Sequence, residues 1–239
     1  MMKKNIIIVI KKIGLFEIIK YYKYVIEIIY CQLLNKRRCE NLQERYGNHN
    51  RDILFIHIPK AAGMSIVKKL YGINESHHSF ARDYMNESHI KFKERYSFSI
   101  TRNPYDRVFS AYNYLKLGGM NLIDQVWWDL YIKKYDGFES FIINGGLEKA
   151  IKVNAEHFIP QYKFVCDINN KIICDYVGKL ENLSEVESII SMRLNKTIKF
   201  GIENKNVESR SRITSYSNKM KNIVYKLYEL DFLILGYEK

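Results

Sequence analysis

The chain is 239 residues long, 47% hydrophobic and 27% charged, with three prolines and four cysteines. These figures exclude wholesale disorder, a Pro-rich linker protein and a disulfide-stapled miniature scaffold, and they set one core of roughly 150–200 residues as the default. The net charge of +12 is uneven: residues 1–51 hold 11 Lys and Arg against 4 Asp and Glu, and the rest of the chain carries only +5. Such an excess suits a membrane surface, nucleic acid or a small polyanionic ligand. The abundance of Ile, Asn, Lys and Tyr offers a purely compositional account beside those three.

The first predicted element is a helix. Residues 5–34 are strongly apolar, but Lys11, Lys12, Glu17, Lys20, Lys23 and Glu27 interrupt them. A spanning helix wants ~20 residues with few charges. The apolar run Ile6–Ile10 is short for a signal peptide, and no small-residue cleavage site follows it. Glu17, Lys20, Lys23 and Glu27 recur at helical spacing and make one narrow polar stripe. The wide apolar remainder must be buried on the domain, on another chain or in a membrane interface with the lysines snorkelling. Apolar helix faces are most often core, which favours packing on protein. Residues 1–51 therefore read as an amphipathic helical segment with its linker, and 52–239 as the main domain. The expected location is cytoplasmic, peripheral to the inner membrane face if the helix binds lipid. Cys31, Cys39, Cys166 and Cys174 are then reduced. Their spacing matches no zinc pattern, so no metal site is predicted.

In the main domain, Asp52–Ile58 reads as a buried strand, Pro59–Met64 as a loop, and Ser65–Leu70 as a helix ended by Gly72. Ser97–Thr101 is a second strand, followed by a helix over Tyr105–Leu117 that Gly118–Gly119 closes. Trp127–Ile143 reads as largely helical, Lys163–Val177 as a hairpin about Asn169–Asn170, and Leu183–Leu194 and Lys219–Leu230 as further helices. Recurring strand–loop–helix units predict an α/β domain with a mainly parallel sheet. Ligands bind such sheets at the carboxyl ends of the strands, so the loops after the first two strands matter most.

The first loop runs Pro59-Lys60-Ala61-Ala62-Gly63-Met64-Ser65. It lacks the GxxxxGK[ST] order of a Walker loop, since the lysine precedes the glycine. Its physics is similar. A tight turn into a helix aims backbone N–H groups at one point, the helix N-terminus adds partial positive charge, Lys60 adds a full charge and Ser65 a hydroxyl. A phosphate or sulfate ester suits that set; a plain turn with a solvated lysine fits the loop alone equally well. In the second loop Arg102 stands at the strand end, where its planar fork can take a phosphate, and Pro104 pre-sets the first helical turn. Ser110 follows about two turns into that helix. Arg107 is as readily structural, paired with Asp106. His57, in the strand, reads as structural.

Two anion loops about 40 residues apart suggest a ligand with two separated anionic groups. PKAAGMS resembles the 5′-phosphosulfate loop, and RNPYDRVFSAY the 3′-phosphate loop, of sulfotransferases that use 3′-phosphoadenylyl sulfate (PAPS). The likeness is greatest to the carbohydrate sulfotransferases related to heparan-sulfate 2-O- and chondroitin sulfotransferases, bacterial-type members included. It extends to His157–Gln161, to Val177–Leu183 and to the closing stretch Tyr228–Tyr237. The resemblance implies a P-loop-NTPase-like three-layer α/β domain with a central, mainly parallel sheet. It implies PAPS as co-substrate without a metal, a glycan hydroxyl as acceptor and no nucleic-acid partner. It assigns Lys60 to the sulfuryl group and the bridging oxygen, Lys60, Ala61, Ala62, Gly63, Met64 and Ser65 to the 5′-phosphate, and Arg102 and Ser110 to the 3′-phosphate. It gives His78, with His77 second, as the catalytic base, and Arg210 as part of a loop folding over the nucleotide. The usual first loop is closer to PKTGGTS. Here Ala62 stands for a glycine, which restricts backbone approach, and Met64 for a hydroxyl residue, which removes one donor. A kinase-like phosphoryl transferase and a non-enzymatic basic module binding nucleic acid or membrane are the alternatives; neither has its own motif here.

Overall fold

A computed structural model of the chain describes residues 14–34, 52–74, 78–201 and 216–239. Among these, three strands form one parallel sheet in the order β1 (Ile53–Ile56), β2 (Tyr96–Thr101), β3 (Tyr176–Lys179). Ile53 stands opposite Tyr96, and Phe98 opposite Tyr176. All four residues of β1 are buried, as a strand covered on both faces requires.

Alternation assigns the two faces. Ile53, Phe55, Phe98 and Ile100 pack with Val186, Ile190 and the helix that follows β1. Leu54 and Ile56 pack on the opposite side with Phe80, Tyr84, Phe92 and Phe164. The helices between the first two strands are α2 (Gly63–Tyr71), α3 (Ala81–Glu87) and α4 (His89–Lys93). Along β2, the hydroxyls of Ser99 and Thr101 donate to the carbonyls of Ile56 (2.7 Å) and Gly178 (3.0 Å), so the small polar residues in this strand stitch it to both neighbours. Ser97 is tied to the Asp175 carboxylate through both its amide (2.7 Å) and its hydroxyl (2.8 Å).

After β2 the chain enters α5 (Pro104–Lys116), whose N-terminus is set by Pro104 and capped by the Asn103 side chain, which accepts from the Tyr105 amide. Then come α6 (Leu122–Trp127), a π-helical turn (Trp128–Ile132), α7 (Gly137–Ile143), α8 (Gly146–Lys152) and α9 (Tyr162–Val165). Beyond β3 lie α10 (Leu183–Arg193), α11 (Asn218–Leu227) and α12 (Glu229–Leu235). Helices α5 to α8, α11 and α12 share an aromatic-rich core that includes Tyr112, Trp127, Phe141, Phe158 and Tyr228. The N-terminal helix α1 (Leu15–Leu33) lays Ile28 on this core.

Residues 127–143 are largely helical, as expected, with a π-turn and the positive φ of Gly137 interrupting the run. One expectation needs correction. Lys163–Val177 is not a regular hairpin, because Tyr162–Val165 is helical and a single bridge, Cys166 to Ile172, is all that pairs around the turn. The Asp231 carboxylate draws the amides of Gln161 and Tyr162 (2.9 and 2.8 Å) into a helix start there, a long-range contact that local pattern does not carry. Cys166 and Cys174 are both free and buried. Among the described residues no helix is long and apolar enough to cross a membrane.

Candidate active site

The turn from β1 into α2 is held by arginines from the second loop. Arg107, buried to 1% exposure, donates from Nε to the Pro59 carbonyl (2.9 Å), and Arg102 donates from Nη1 to the Lys60 carbonyl (3.3 Å). Two successive carbonyls are thereby occupied. Lys60 and Ala62 take left-handed backbone conformations, φ +69° and +62°, and α2 opens at Gly63 with no side-chain cap. Among the described residues no side chain caps the first-turn amides of α2, and the helix dipole adds positive potential there. Gly63 is required: a Cβ there would lie 1.8 Å from the His57 ring.

Lys60 places its ammonium 3.5 Å from the centre of the Tyr114 ring. Burial lowers its pKa to about 8; Arg102 and Arg107 push the same way and Asp124 opposes them. Three histidines stand nearby. The His57 and His78 rings are 4.5 Å apart edge-on, and those of His78 and His157 are 6.2 Å apart. His78 Nδ1 lies 2.9 Å from Glu156 Oε1. An ionised carboxylate only accepts, so Nδ1 carries the proton and Nε2 is the basic atom.

His157 is paired through Nε2 with Asp124 Oδ1 (2.9 Å), and Tyr114 donates to Asp124 Oδ2 (2.6 Å). Burial alone would raise the Asp124 pKa. The bonds from His157, Tyr114 and the Met120 amide overcome that and hold it at about 2. Burial pushes the pKa of both His57 and His157 down, so both are neutral at pH 7. Among the described residues, His157 Nδ1 is buried without a hydrogen-bond partner.

Arg102 is itself fixed by Gln161, whose side-chain oxygen accepts from the Arg102 amide (2.9 Å) while its nitrogen donates to the Arg102 carbonyl (2.8 Å). Asp231 holds the Gln161 amide in turn. Tyr237 meets Thr101 Oγ1 (2.9 Å) and Glu181 (3.2 Å), and Glu181 accepts from the Asn103 amide (2.6 Å).

The sulfotransferase family model matches residues 46–238. The chain belongs to the sulfotransferase family. No curated protein and no solved structure matches it. In this sulfotransferase the segments His157–Gln161, Val177–Leu183 and Tyr228–Tyr237, far apart in sequence, converge on the carboxyl end of β2 and brace Arg102.

Of the residues expected at the site, Lys60, Arg102 and His78 belong to this one cluster. Ala61 is buried behind the turn, Ala62 precedes α2, and Gly63, Met64 and Ser65 form its first turn. Ser110 is half-buried, two turns along α5. His77 and Arg210 lie outside the described residues. His57, read from sequence as structural, is packed against His78 and Gly63 in the cluster itself. Arg107 is tied to Pro59, with Asp231 as the carboxylate whose charge acts on it. Tyr114, Asp124 and Glu156 were missed. The one sequence signal for them was an acidic residue inside the apolar stretch Leu122–Trp127, which a buried hydrogen-bonded carboxylate explains.

Proposed function

We propose that this sulfotransferase moves the sulfuryl group of PAPS to a hydroxyl of a carbohydrate acceptor, on a P-loop-NTPase-like fold and with His78 as base. The observation that carries the proposal is the meeting of a half-buried lysine, an uncapped helix N-terminus and a carboxylate-oriented histidine at the carboxyl end of β1. These groups fit the donor. The α2 amides with Lys60 suit the phosphosulfate end, and Arg102, with Ser110 on α5, suits the 3′-phosphate. The carbohydrate assignment rests on the resemblance and on the modest positive charge of the main domain.

PAPS supplies a sulfuryl group joined to a stable leaving group. His78 Nε2 takes the acceptor hydroxyl proton as that oxygen bonds to sulfur. The bond from sulfur to the bridging phosphate oxygen breaks, its electron pair stays on that oxygen, and adenosine 3′,5′-bisphosphate is released. Lys60 meets the charge developing there. A positioned base contributes ~10²–10⁴-fold, and a donor aimed at developing charge roughly 2.7–4 kcal/mol.

The test is a thermal-shift titration of the chain with adenosine 3′,5′-bisphosphate, 5′-AMP and ATP-Mg²⁺, followed by a PAPS-dependent sulfation assay on a panel of acidic glycans. At about 100 times its Kd a ligand stabilises by ~2.7 kcal/mol. Stabilisation by the bisphosphate, lost in Arg102→Ala, is expected. Stabilisation by ATP-Mg²⁺ alone would replace the proposal with phosphoryl transfer.

A further inference from the structure

Helix α1 rests on the body by one side only. Ile28 is buried, Tyr21 donates to Asp129 Oδ2 (3.1 Å), and Gln32 accepts from the Tyr131 hydroxyl (2.5 Å). At ~100° per residue these positions share one face. The opposite face presents Ile18, Ile19, Tyr22, Ile26, Tyr30 and Leu33, with Ile26 67% and Leu33 80% exposed. The stripe runs the full length of a 19-residue helix, about 28 Å. Soluble monomers rarely leave so continuous an apolar surface without a partner.

Charge indicates which partner. Residues 1–34 carry six lysines and two glutamates. Lys23 lies at the margin of the stripe, where a snorkelling side chain reaches headgroups while its stem stays on apolar surface. Tyr22 and Tyr30 are the amphipathic aromatics that membrane interfaces favour. A second copy docked face to face would instead bring two segments of net +4 together. We propose that this face of α1 lies in the plane of an anionic phospholipid bilayer, its isoleucines in the acyl boundary and its lysines among the headgroups. Helix α1 packs on α6, the helix that carries Asp124, so the bilayer is brought to the part of the molecule that holds the candidate site.

Flotation of the full chain tests it, with vesicles of phosphatidylcholine alone and of phosphatidylcholine with phosphatidylglycerol, at low and high salt. The wild type floats with the anionic vesicles and less so at high salt. Ile19→Glu/Ile26→Glu loses roughly tenfold or more in partitioning while its circular dichroism and melting temperature stay unchanged, since both side chains are exposed. A wild type that floats with neither vesicle, or a double variant that floats as well as wild type, overturns the proposal. So does a wild-type dimer in sedimentation that the double variant converts to monomer without any vesicle binding, which would assign the face to a second copy.

Discussion

Lys60 is the residue at which burial and function meet. In the proposed reaction its ammonium meets developing negative charge, and burial lowers its pKa to about 8. The transfer rate should therefore fall towards tenfold per pH unit above pH 8, as the neutral amine takes over, while protonation of His78 limits it on the acid side. A pH–rate profile measures this, and a rate still rising above pH 9 would remove Lys60 from the chemical step. Replacing it with Ala should lower kcat by about 10²–10³-fold. His78→Ala should lose ~10²–10⁴-fold, and Glu156→Gln a smaller part of the same effect, because the amide still holds the ring but with less control of its tautomer. Adjacent positions in the turn respond with opposite signs. Ala62 has φ +62°, a conformation that disfavours any Cβ by roughly 1–2 kcal/mol. Ala62→Gly relieves that strain and gives back ~0.4–1 kcal/mol through the more flexible unfolded chain, so stability stays level or rises by up to about 1.6 kcal/mol. Gly63→Ala drives a methyl into the His57 ring and should destabilise by roughly 1–3 kcal/mol. Urea unfolding of the two variants compares them directly; equal effects would mean that the turn is not under the backbone constraint seen here.

At the scale of elements, the site depends on α12 reaching back to α9. Asp231 is fully buried and accepts both the Gln161 and Tyr162 amides. Burial raises its pKa to about 6 despite those bonds and the nearby Arg107 charge. The folded value lies above the unfolded one of about 3.9. Its contribution to stability is therefore complete below pH 4 and is lost as pH rises through 6. Asp124 works the opposite way: held at about 2, it stabilises above pH 4 and loses that contribution as pH falls through 2. Asp231→Asn removes the first dependence but offers one acceptor oxygen to two amides. The variant should be less stable by roughly 1–3 kcal/mol, with a flatter stability profile between pH 4 and 6. Chemical denaturation at several pH values would show this, and an unchanged slope would mean that Asp231 does not titrate in that window. Arg102 should also lose its fixed position in this variant, weakening bisphosphate binding more than Asp231's own distance from the ligand suggests.

For the whole molecule, the question is whether α1 belongs to the cooperative unit or only leans on it. Ile28 is 1% exposed within the aromatic core of α5 to α8, and Tyr21 and Gln32 add polar anchors at either end of the contact. Large-to-small core substitutions of this kind cost about 2–5 kcal/mol. Ile28→Ala should fall near the lower end, about 2 kcal/mol, because only one side of the helix is packed. The loss should appear as a shifted midpoint of a single urea transition. A separate early transition for α1, with the main midpoint unmoved, would show that the helix docks as an independent element.

The sequence by itself determined the first two strands, the loops that follow them and the places of Lys60 and Arg102 in those loops. These are local features. Apolar runs, Pro104 at a helix start and Gly72 at a helix end act through their immediate backbone, so their pattern survives in one dimension. It also determined that α1 would be amphipathic. Only the tertiary structure decided that α1 buries one narrow side and leaves the wide one open, because a helical period says which residues share a face and not what lies against it. Only the fold brought His57, His78 and His157 together with Asp124, Tyr114 and Glu156: Tyr114 and Asp124 are ten residues apart, but His157 finds Asp124 and His78 finds Glu156 across 33 and 78 residues. His57 is the sharpest case. In sequence it is one polar residue inside an apolar strand, and a structural role is the ordinary reading. Its ring fills the space left by the missing Cβ of Gly63, six residues on, and lies edge-on to His78.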